Sequence, residues 1–479
     1  MKRSAILSLA SAALSLCGRA CPRAEAAKPT TENRRPNILF IYTDDQRWDA
    51  MSCVQKEMGD KARFPWFKTP NMDRLAAEGV RFRNAFVVNS LCSPSRSTFL
   101  TGLYSHLDGV ATNHAPMPET VLNSAKVLDA AGYATAYIGK FHHGKQMDRP
   151  GFQYVASFIG QGQYIDCPIN VNGKMTPSHG WVDDVSTDYA INFIKNQTKN
   201  HPDQPFDMVI GFKSPHDPHV PPPRAAHRFA DQEYGPVPNL HIPPVYPLDD
   251  RQGDSHWGGG NRWLLQLYQL NYFRCISAAD DDLGRVLDTL DRLHIANNTV
   301  VIYTTDNGYY LGEHELYDKR TAYDESLRIP MLIRYPGHVP AGKVMNQMVL
   351  NIDVPETIID FAGVQVPPSM QGMSWVPLFT EKHPKWRDSF FYEYFQESYF
   401  KSPTTLAVRT ENDILIKYPG YPQWTELFDL KKDPYELHNL VHNPKDAKLL
   451  GQMDAKFVQQ AKEVKYCVPS YADPTPLLQ

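Results

Sequence analysis

Short apolar runs alternate with helical patterns along most of this 479-residue sequence, and this alternation restricts the possible folds more than any other feature. The apolar runs have the length and composition of strands buried on both faces of a sheet. The predicted strands cover residues 37–42, 134–138, 207–212, 300–304 and 331–334, and the predicted helices cover 71–78, 121–131, 184–196, 263–293 and 355–361. Strands separated by helices predict an α/β fold whose mainly parallel central sheet is flanked by helices.

The pattern changes past about Trp386. Segments 390–394, 406–409 and 414–418 are short, alternate in polarity and are separated by turns. Such segments are typical of antiparallel strands. We therefore predict a small C-terminal α+β lobe with an antiparallel sheet, in a subdomain covering residues 386–479.

The N-terminus has the three parts of a secretory signal peptide. Met1-Lys2-Arg3 is followed by an apolar run over residues 5–16 and by the small-residue segment Ala24-Glu25-Ala26. We therefore predict a signal peptide over residues 1–26 and a secreted or periplasmic protein. A lipoprotein anchor at Cys17 is the weaker alternative, because the bulky Leu16 precedes it. No later segment has the length of a transmembrane helix.

Charge and cysteine content exclude several classes of protein. Lys and Arg total 49 against 53 Asp and Glu, so the net charge of -4 gives no overall basic field of the kind that nucleic acid or an anionic membrane would select. Five cysteines remain after removal of the signal peptide, too few for a disulfide framework. Pairing among Cys53, Cys167, Cys275 and Cys467 is left open, and Cys92 lies in a motif of its own.

Polar side chains follow four of the predicted strands. In open α/β sheets, ligands bind at the carboxyl ends of strands, so these side chains are candidates for one site. Strand 37–42 leads into Asp44 and Asp45, and strand 300–304 leads into Asp306 and Asn307; the other two lead into Lys140 with His142 and into His216. The carboxylates and the amide are oxygen ligands that favour Ca²⁺ or Mg²⁺ over zinc or copper.

The segment Cys92-Ser93-Pro94-Ser95-Arg96 is followed by Ser97-Thr98-Phe99-Leu100-Thr101-Gly102. This sequence resembles the signature of the type I sulfatase family, C-x-P-S-R followed by x-x-x-L-T-G, at every fixed position. Residues 69–76, 139–142, 311–320 and 427–434 also look like segments of that family. The resemblance covers about 36–440 and implies an alkaline phosphatase-like fold with a catalytic domain over residues 36–380.

The resemblance also implies a catalytic apparatus. Cys92 would be oxidised to formylglycine by a maturation enzyme, and the hydrated aldehyde would attack the sulfur of a sulfate ester. One Ca²⁺ per chain would be bound by Asp44, Asp45, residue 92, Asp306 and Asn307. Asp306 would also accept the proton of the nucleophile.

Basic side chains complete the implied site. Arg96, Lys140 and His142 would hold the hydrated aldehyde, while His216 and Lys319 would face the sulfate and the departing oxygen. Four further histidines, His106, His114, His143 and His219, are weaker candidates for the substrate pocket.

Three functions are open at this point. The first is a sulfatase acting on a sulfated carbohydrate, with aromatic side chains that could stack on sugar rings: Tyr104, Trp181, Trp257 and Trp263. The second is an arylsulfatase or a phosphate or phosphonate monoester hydrolase on the same scaffold, and the third is a glycan-binding protein with unmatured Cys92. The sugar, the sulfated position, exo or endo action and the oligomeric state stay open.

Overall fold

A mixed, mostly parallel ten-stranded sheet forms the centre of the computed structural model, which describes residues 35–235, 237–248, 262–397, 400 and 402–469. The predicted signal peptide lies outside these residues. In chain order the described strands are β1 (Asn37–Asp44), β2 (Val80–Phe86), β3 (Ala134–Lys140), β4 (Tyr154–Phe158), β5 (Ile169–Val171), β6 (Lys174–Thr176), β7 (Phe206–Pro215), β8 (Thr299–Thr305), β9 (Tyr310–Leu311), β10 (Tyr317–Asp318), β11 (Met331–Arg334), β12 (Lys343–Leu350), β13 (Ser389–Tyr394), β14 (Thr405–Thr410), β15 (Asp413–Lys417) and β16 (Glu426–Asp429).

The strand order in the central sheet is β12-β2-β11-β8-β1-β7-β3-β4-β5-β6. The five central strands β8, β1, β7, β3 and β4 are parallel, and Ile38 of β1 pairs with Val300 on one side and Asp207 on the other. Nearly every residue of these strands is buried, which explains their uninterrupted apolar runs. The predicted α/β class is confirmed.

Helices cover both faces of the sheet, and each face has its own buried apolar cluster. The described helices are α1 (Ser52–Met58), α2 (Pro70–Glu78), α3 (Cys92–Thr101), α4 (Ser105–Asp108), α5 (Ser124–Ala130), α6 (Val182–Asn200), α7 (Arg262–Arg292), α8 (Asp324–Leu327), α9 (Asp353–Phe361), α10 (Val376–Thr380) and α11 (Ala447–Glu463). None of them is long and apolar enough to cross a membrane. Helix α5 begins three residues later than predicted, because the Asn123 side chain accepts a hydrogen bond from the Lys126 backbone N–H and caps it.

The small C-terminal lobe consists of the antiparallel sheet β13-β14-β15-β16 and helix α11. Its strands share an apolar cluster with residues at the carboxyl ends of central-sheet strands; Phe390, for example, stacks on Phe86 with ring centroids 5.2 Å apart. The division into residues 36–380 and 386–479 stays a prediction. All five described cysteines are free thiols.

Replacing Met453 should destabilise the C-terminal lobe. Met453 is the buried residue by which α11 packs on Val408, Leu415 and Leu427 of the small sheet. We expect Met453→Ala to lower the free energy of unfolding by about 2–4 kcal/mol, from lost burial and the cavity left behind. Urea denaturation would measure this, with Val458→Ala on the same helix as control; Val458 is 66% exposed, so its change should stay within about 0.5 kcal/mol.

The buried carboxyl of Asp207 on β7 should make stability fall with rising pH. Neither carboxyl oxygen has a hydrogen-bond partner among the described residues, and burial raises the pKa of Asp207 from 3.8 to about 7. The folded state therefore favours the protonated form, and that contribution is lost as the pH rises through about 7. We expect the stability of Asp207→Asn relative to the natural chain to increase by about 4 kcal/mol between acid and mildly alkaline pH. Denaturation of both proteins across pH would test this.

Candidate active site

The neighbouring strands β1 and β8 bring the predicted oxygen ligands together at their carboxyl ends. Thr43 pairs with Thr305, so the residues that follow these two threonines lie side by side. The backbone N–H of Asp45 donates to Asp306 Oδ1 at 3.0 Å, and Asn307 Nδ2 donates to Asp45 Oδ1 at 2.7 Å. Carboxylate oxygens of Asp44, Asp45 and Asp306 lie within 4.8 Å of one another, and all three side chains are buried.

Cys92 is the first residue of α3, directly after Leu91 in extended conformation. Its Sγ lies 3.6 Å from Asp44 Oδ1, and Asp44, Cys92 and His216 offer ligand atoms within 4.8 Å of one another. Burial raises the pKa of the Cys92 thiol, because the thiolate would be desolvated. The unmodified side chain is therefore a neutral thiol, a poor nucleophile in this setting.

Arg96 and Lys140 provide positive charge beneath the carboxylates. Arg96 lies one turn along α3, where its Nε donates to Asp306 Oδ2 at 2.8 Å and its Nη1 donates to the Lys140 carbonyl at 2.8 Å. The guanidinium also lies over the Tyr42 ring, 4.7 Å from the centroid. Lys140 Nζ forms a buried ion pair with Asp44 and donates to Gln161 Oε1 at 2.5 Å.

Lys319, His216 and His142 reach the same carboxylates or the cavity above them. Lys319 Nζ lies 2.8 Å and His216 Nε2 3.8 Å from Asp45 Oδ2. The other ring nitrogen of His216 lies 2.8 Å from the Asp217 carbonyl oxygen and 3.0 Å from its carboxylate. His142 Nδ1 is buried without a hydrogen-bond partner among the described residues.

These charges shift the pKa values of the site in opposite directions. Burial would raise the pKa of Asp44, but Lys140, His216 and Arg96 outweigh it and hold the pKa well below its ordinary value. Burial and the charge of Asp44 raise the pKa of Asp306 to about 7. Burial, together with Lys140 and Arg96, lowers the pKa of His142 well below its ordinary value, so its imidazole is neutral at neutral pH.

The donor set fits a hard divalent cation. Three carboxylates converge, and the amide oxygen of Asn307 is buried with no hydrogen donor within the described part of the chain. An unpaired buried acceptor is costly unless a cation or a donor satisfies it. Oxygen atoms dominate the set, as Ca²⁺ and Mg²⁺ require.

A cavity of about 480 Å³ opens above these groups. It is lined by His142, His216 and Lys319, so these predicted residues face the space available to a substrate. The lining also includes side chains that the sequence analysis did not name, among them Gln161, Arg320, Glu397 and Phe400. Gln161 lies between Gly160 and Gly162, and this glycine-flanked polar residue after β4 was a usable signal. Phe400 had no such signal.

Several weaker predictions need correction. Tyr104 and Trp181 are each only 2% exposed, and neither lines the cavity, so they cannot stack on a sugar there. Trp257 and the side chain of Trp263 lie outside the described residues. Among the weaker histidines His114 lines the cavity, whereas the three buried ones, His106, His143 and His219, do not.

The sequence profile of the sulfatase family matches residues 36–364, and that of the C-terminal region of N-sulphoglucosamine sulphohydrolase matches residues 312–463. The chain belongs to the sulfatase family. It is therefore a sulfuric ester hydrolase on an alkaline phosphatase-like fold. The family generally uses formylglycine and a divalent metal, and the first profile spans the converging carboxylates and Cys92.

Individual relatives cover nearly the whole enzyme. An N-acetylglucosamine-6-O-sulfatase of Bacteroides thetaiotaomicron is 32% identical, over 95% of this chain and 90% of the relative. An ulvan-active sulfatase of Formosa agariphila is 28% identical, over 90% of this chain and 82% of the relative. A solved structure in complex with its substrate D-glucosamine-2-N,6-O-disulfate is 30% identical, with a TM-score of 0.81 over 92% of this chain and all of that one.

Proposed function

We propose that this enzyme hydrolyses sulfate esters of a sulfated carbohydrate, using formylglycine made from Cys92 and Ca²⁺ bound by Asp44, Asp45, residue 92, Asp306 and Asn307. One observation supports this most directly: ligand atoms of Asp44 and Cys92 lie within 4.8 Å of one of His216, and His216 also lines the cavity. We further propose that residues 1–26 direct export to the periplasm or the exterior, and that a maturation enzyme oxidises Cys92.

Each charged side chain has a part in the proposed reaction. Formylglycine at position 92 would supply a nucleophilic hydroxyl, and Ca²⁺ held by Asp44, Asp45, Asp306 and Asn307 would supply positive charge for the sulfate oxygens. Lys319 and His216 face the cavity, where the first stabilises negative charge and the second protonates the departing sugar oxygen. Arg96 and Lys140 hold Asp306 and Asp44 in place through their ion pairs.

A 6-O-sulfated glucosamine is the first substrate to test. The relative from Bacteroides thetaiotaomicron is named for N-acetylglucosamine 6-O-sulfate, and the solved structure contains a 6-O-sulfated glucosamine. The cavity is lined by acidic and basic side chains, such as Glu397 and Arg320. These side chains offer hydrogen-bonding groups for sugar hydroxyls.

Sulfate release measured by ion chromatography would test the proposal. Protein coexpressed with a maturation enzyme should release sulfate from N-acetylglucosamine 6-O-sulfate or from another member of a sulfated saccharide panel. Faster turnover of an aryl phosphate or a phosphonate monoester than of any sulfate would contradict the proposal. Peptide mass spectrometry should find formylglycine at position 92; a thiol there in protein from the native host would favour a glycan-binding protein without turnover.

A further inference from the structure

A second buried group of ligand atoms lies apart from Cys92 and its carboxylates. His314, Glu325 and Glu436 offer one ligand atom each within 4.8 Å of one another. They come from three elements: the 3₁₀ turn Glu313–Glu315, helix α8 and the loop after β16. All three side chains are buried. None of them takes part in the proposed reaction.

Each of these side chains has an atom without a hydrogen-bond partner among the described residues. The atoms are His314 Nε2, Glu325 Oε2 and Glu436 Oε1. The neighbouring Asn239 donates from its amide nitrogen to Glu325 Oε1 at 3.1 Å, while its own amide oxygen is also unpartnered. Unsatisfied polar atoms are rare in protein interiors, and several in one place indicate that a ligand is expected there.

The charges around the cluster do not balance. Three arginines are nearby, and each already binds a carboxylate: Arg47 binds Asp49 at 2.8 Å, Arg63 binds Glu313 at 2.6 Å and Arg409 binds Asp324 at 3.2 Å. Glu325 and Glu436 have no Lys or Arg within ion-pair distance in the described residues. Two buried carboxylates are thus left over, and together they match the charge of one divalent cation.

The imidazole of His314 is oriented as in a metal ligand. Its Nδ1 lies 2.9 Å from the Ile242 carbonyl oxygen, so Nδ1 carries the proton and Nε2 presents a lone pair. The ring is fixed by stacking on Tyr323, with centroids 4.0 Å apart.

We propose that His314, Glu325 and Glu436 bind a structural Zn²⁺ ion, with the Asn239 amide oxygen as the available fourth ligand. One imidazole nitrogen with carboxylate oxygens suits zinc better than the all-oxygen preference of Ca²⁺. A cavity of about 430 Å³ lined by Glu325 and Tyr435 gives the ion a route from solvent. The ion ties the segment that carries Lys319 to the loop of Glu436. This inference does not rest on the proposed function.

Zinc content per chain, measured by mass spectrometry of the metal, would test the proposal. The full-length protein is incubated with Zn²⁺, separated from free metal and analysed. We expect about one Zn²⁺ per chain above the content of the His314→Gln/Glu436→Gln double variant. The single variant Glu436→Gln should bind zinc at least about tenfold more weakly. It replaces the double variant in this test if the double variant fails to fold.

Thermal unfolding separates a structural ion from an adventitious one. With Ca²⁺ kept in excess throughout, added Zn²⁺ should raise the Tm of the zinc-free natural chain, while the Glu436→Gln Tm should not respond to Zn²⁺. Glu426→Gln is the matched control, because Glu426 is an equally buried glutamate whose oxygens accept hydrogen bonds from Tyr323 and Tyr418. The Glu426→Gln variant should keep both the bound zinc and the Tm response to zinc. Equal zinc content in the natural chain and Glu436→Gln, or a Tm of the natural chain that zinc does not change, would overturn the proposal. The buried side chains of the cluster would then share a proton instead of binding a metal ion.

Discussion

Cys92→Ala should reduce sulfate release by about 10⁴-fold or more, because it removes the only precursor of the proposed nucleophile. The side chain lies at the start of α3, 3.6 Å from Asp44, and neither of the hydroxyl-bearing neighbours, Ser93 and Ser95, occupies its place: both bind backbone carbonyl oxygens. Initial rates on the best sulfated saccharide would measure the loss. Binding of that saccharide should survive, since the basic side chains that face the cavity are unchanged.

Cys53→Ala is the matched control. Cys53 is a free thiol on α1, outside the cavity, and its replacement also exchanges sulfur for a methyl group. This variant should keep most of the activity. Both variants should unfold at similar denaturant concentrations, so that a loss confined to Cys92→Ala reports chemistry rather than folding. Activity of Cys92→Ala above about one-tenth of the natural rate would remove residue 92 from the reaction.

The position of the oxygen ligands could be predicted because it follows from sheet geometry. Parallel strands in one sheet end at the same edge, so the polar residues after β1 and β8 had to meet if those strands were neighbours. The pairing of Thr43 with Thr305 shows that β1 and β8 are neighbours in the sheet. Cys92 and Arg96 were located by their motif instead, because nothing in local periodicity indicates that α3 begins beneath this edge.

The remaining cavity residues come from segments whose path depends on tertiary packing. Arg320 binds Glu397 at 3.1 Å and its guanidinium stacks 3.5 Å from the Phe400 ring centroid, although about 80 residues separate them in the chain. A local pattern carries no information on such a contact. The same limit explains the wrong prediction for Trp181. From the sequence its aromatic ring was a candidate for stacking on a sugar, whereas in the structure it packs against Tyr164 in the core.

The order of the strands in the central sheet could not be predicted from the sequence either. Strand β2 was not predicted, because Val80–Phe86 includes Arg81, Arg83 and Asn84 and lacks the apolar run of a central strand. It lies between β12 and β11, near the sheet edge, where polar residues are tolerated. Strand β11 was predicted, but its antiparallel pairing with β8 depends on the connection that precedes it, which a single strand pattern does not encode.

Lys319→Met should lower kcat by about 10²- to 10³-fold, the usual effect of removing one preorganised charge that stabilises a transition state. Lys319 Nζ faces the cavity and lies 2.8 Å from Asp45 Oδ2. Burial would lower the pKa of Lys319, but the carboxylates of Asp45, Asp318 and Asp44 outweigh it and raise the pKa well above its ordinary value. The ammonium therefore stays charged throughout a practical assay range, and its loss should change kcat without introducing a new pH dependence.

Methionine keeps the length and apolar stem of lysine, so the comparison isolates the charge. Lys417→Met is the matched control, because Lys417 pairs with Asp454 at 2.7 Å on the surface of the C-terminal lobe, away from the cavity. Its kcat should equal that of the natural enzyme. If Lys319→Met raised KM but left kcat within about threefold of the natural value, the lysine would contribute to substrate binding only, because uniform binding leaves kcat unchanged. A proportional fall in kcat and kcat/KM would instead place its charge at the developing negative charge of the reaction.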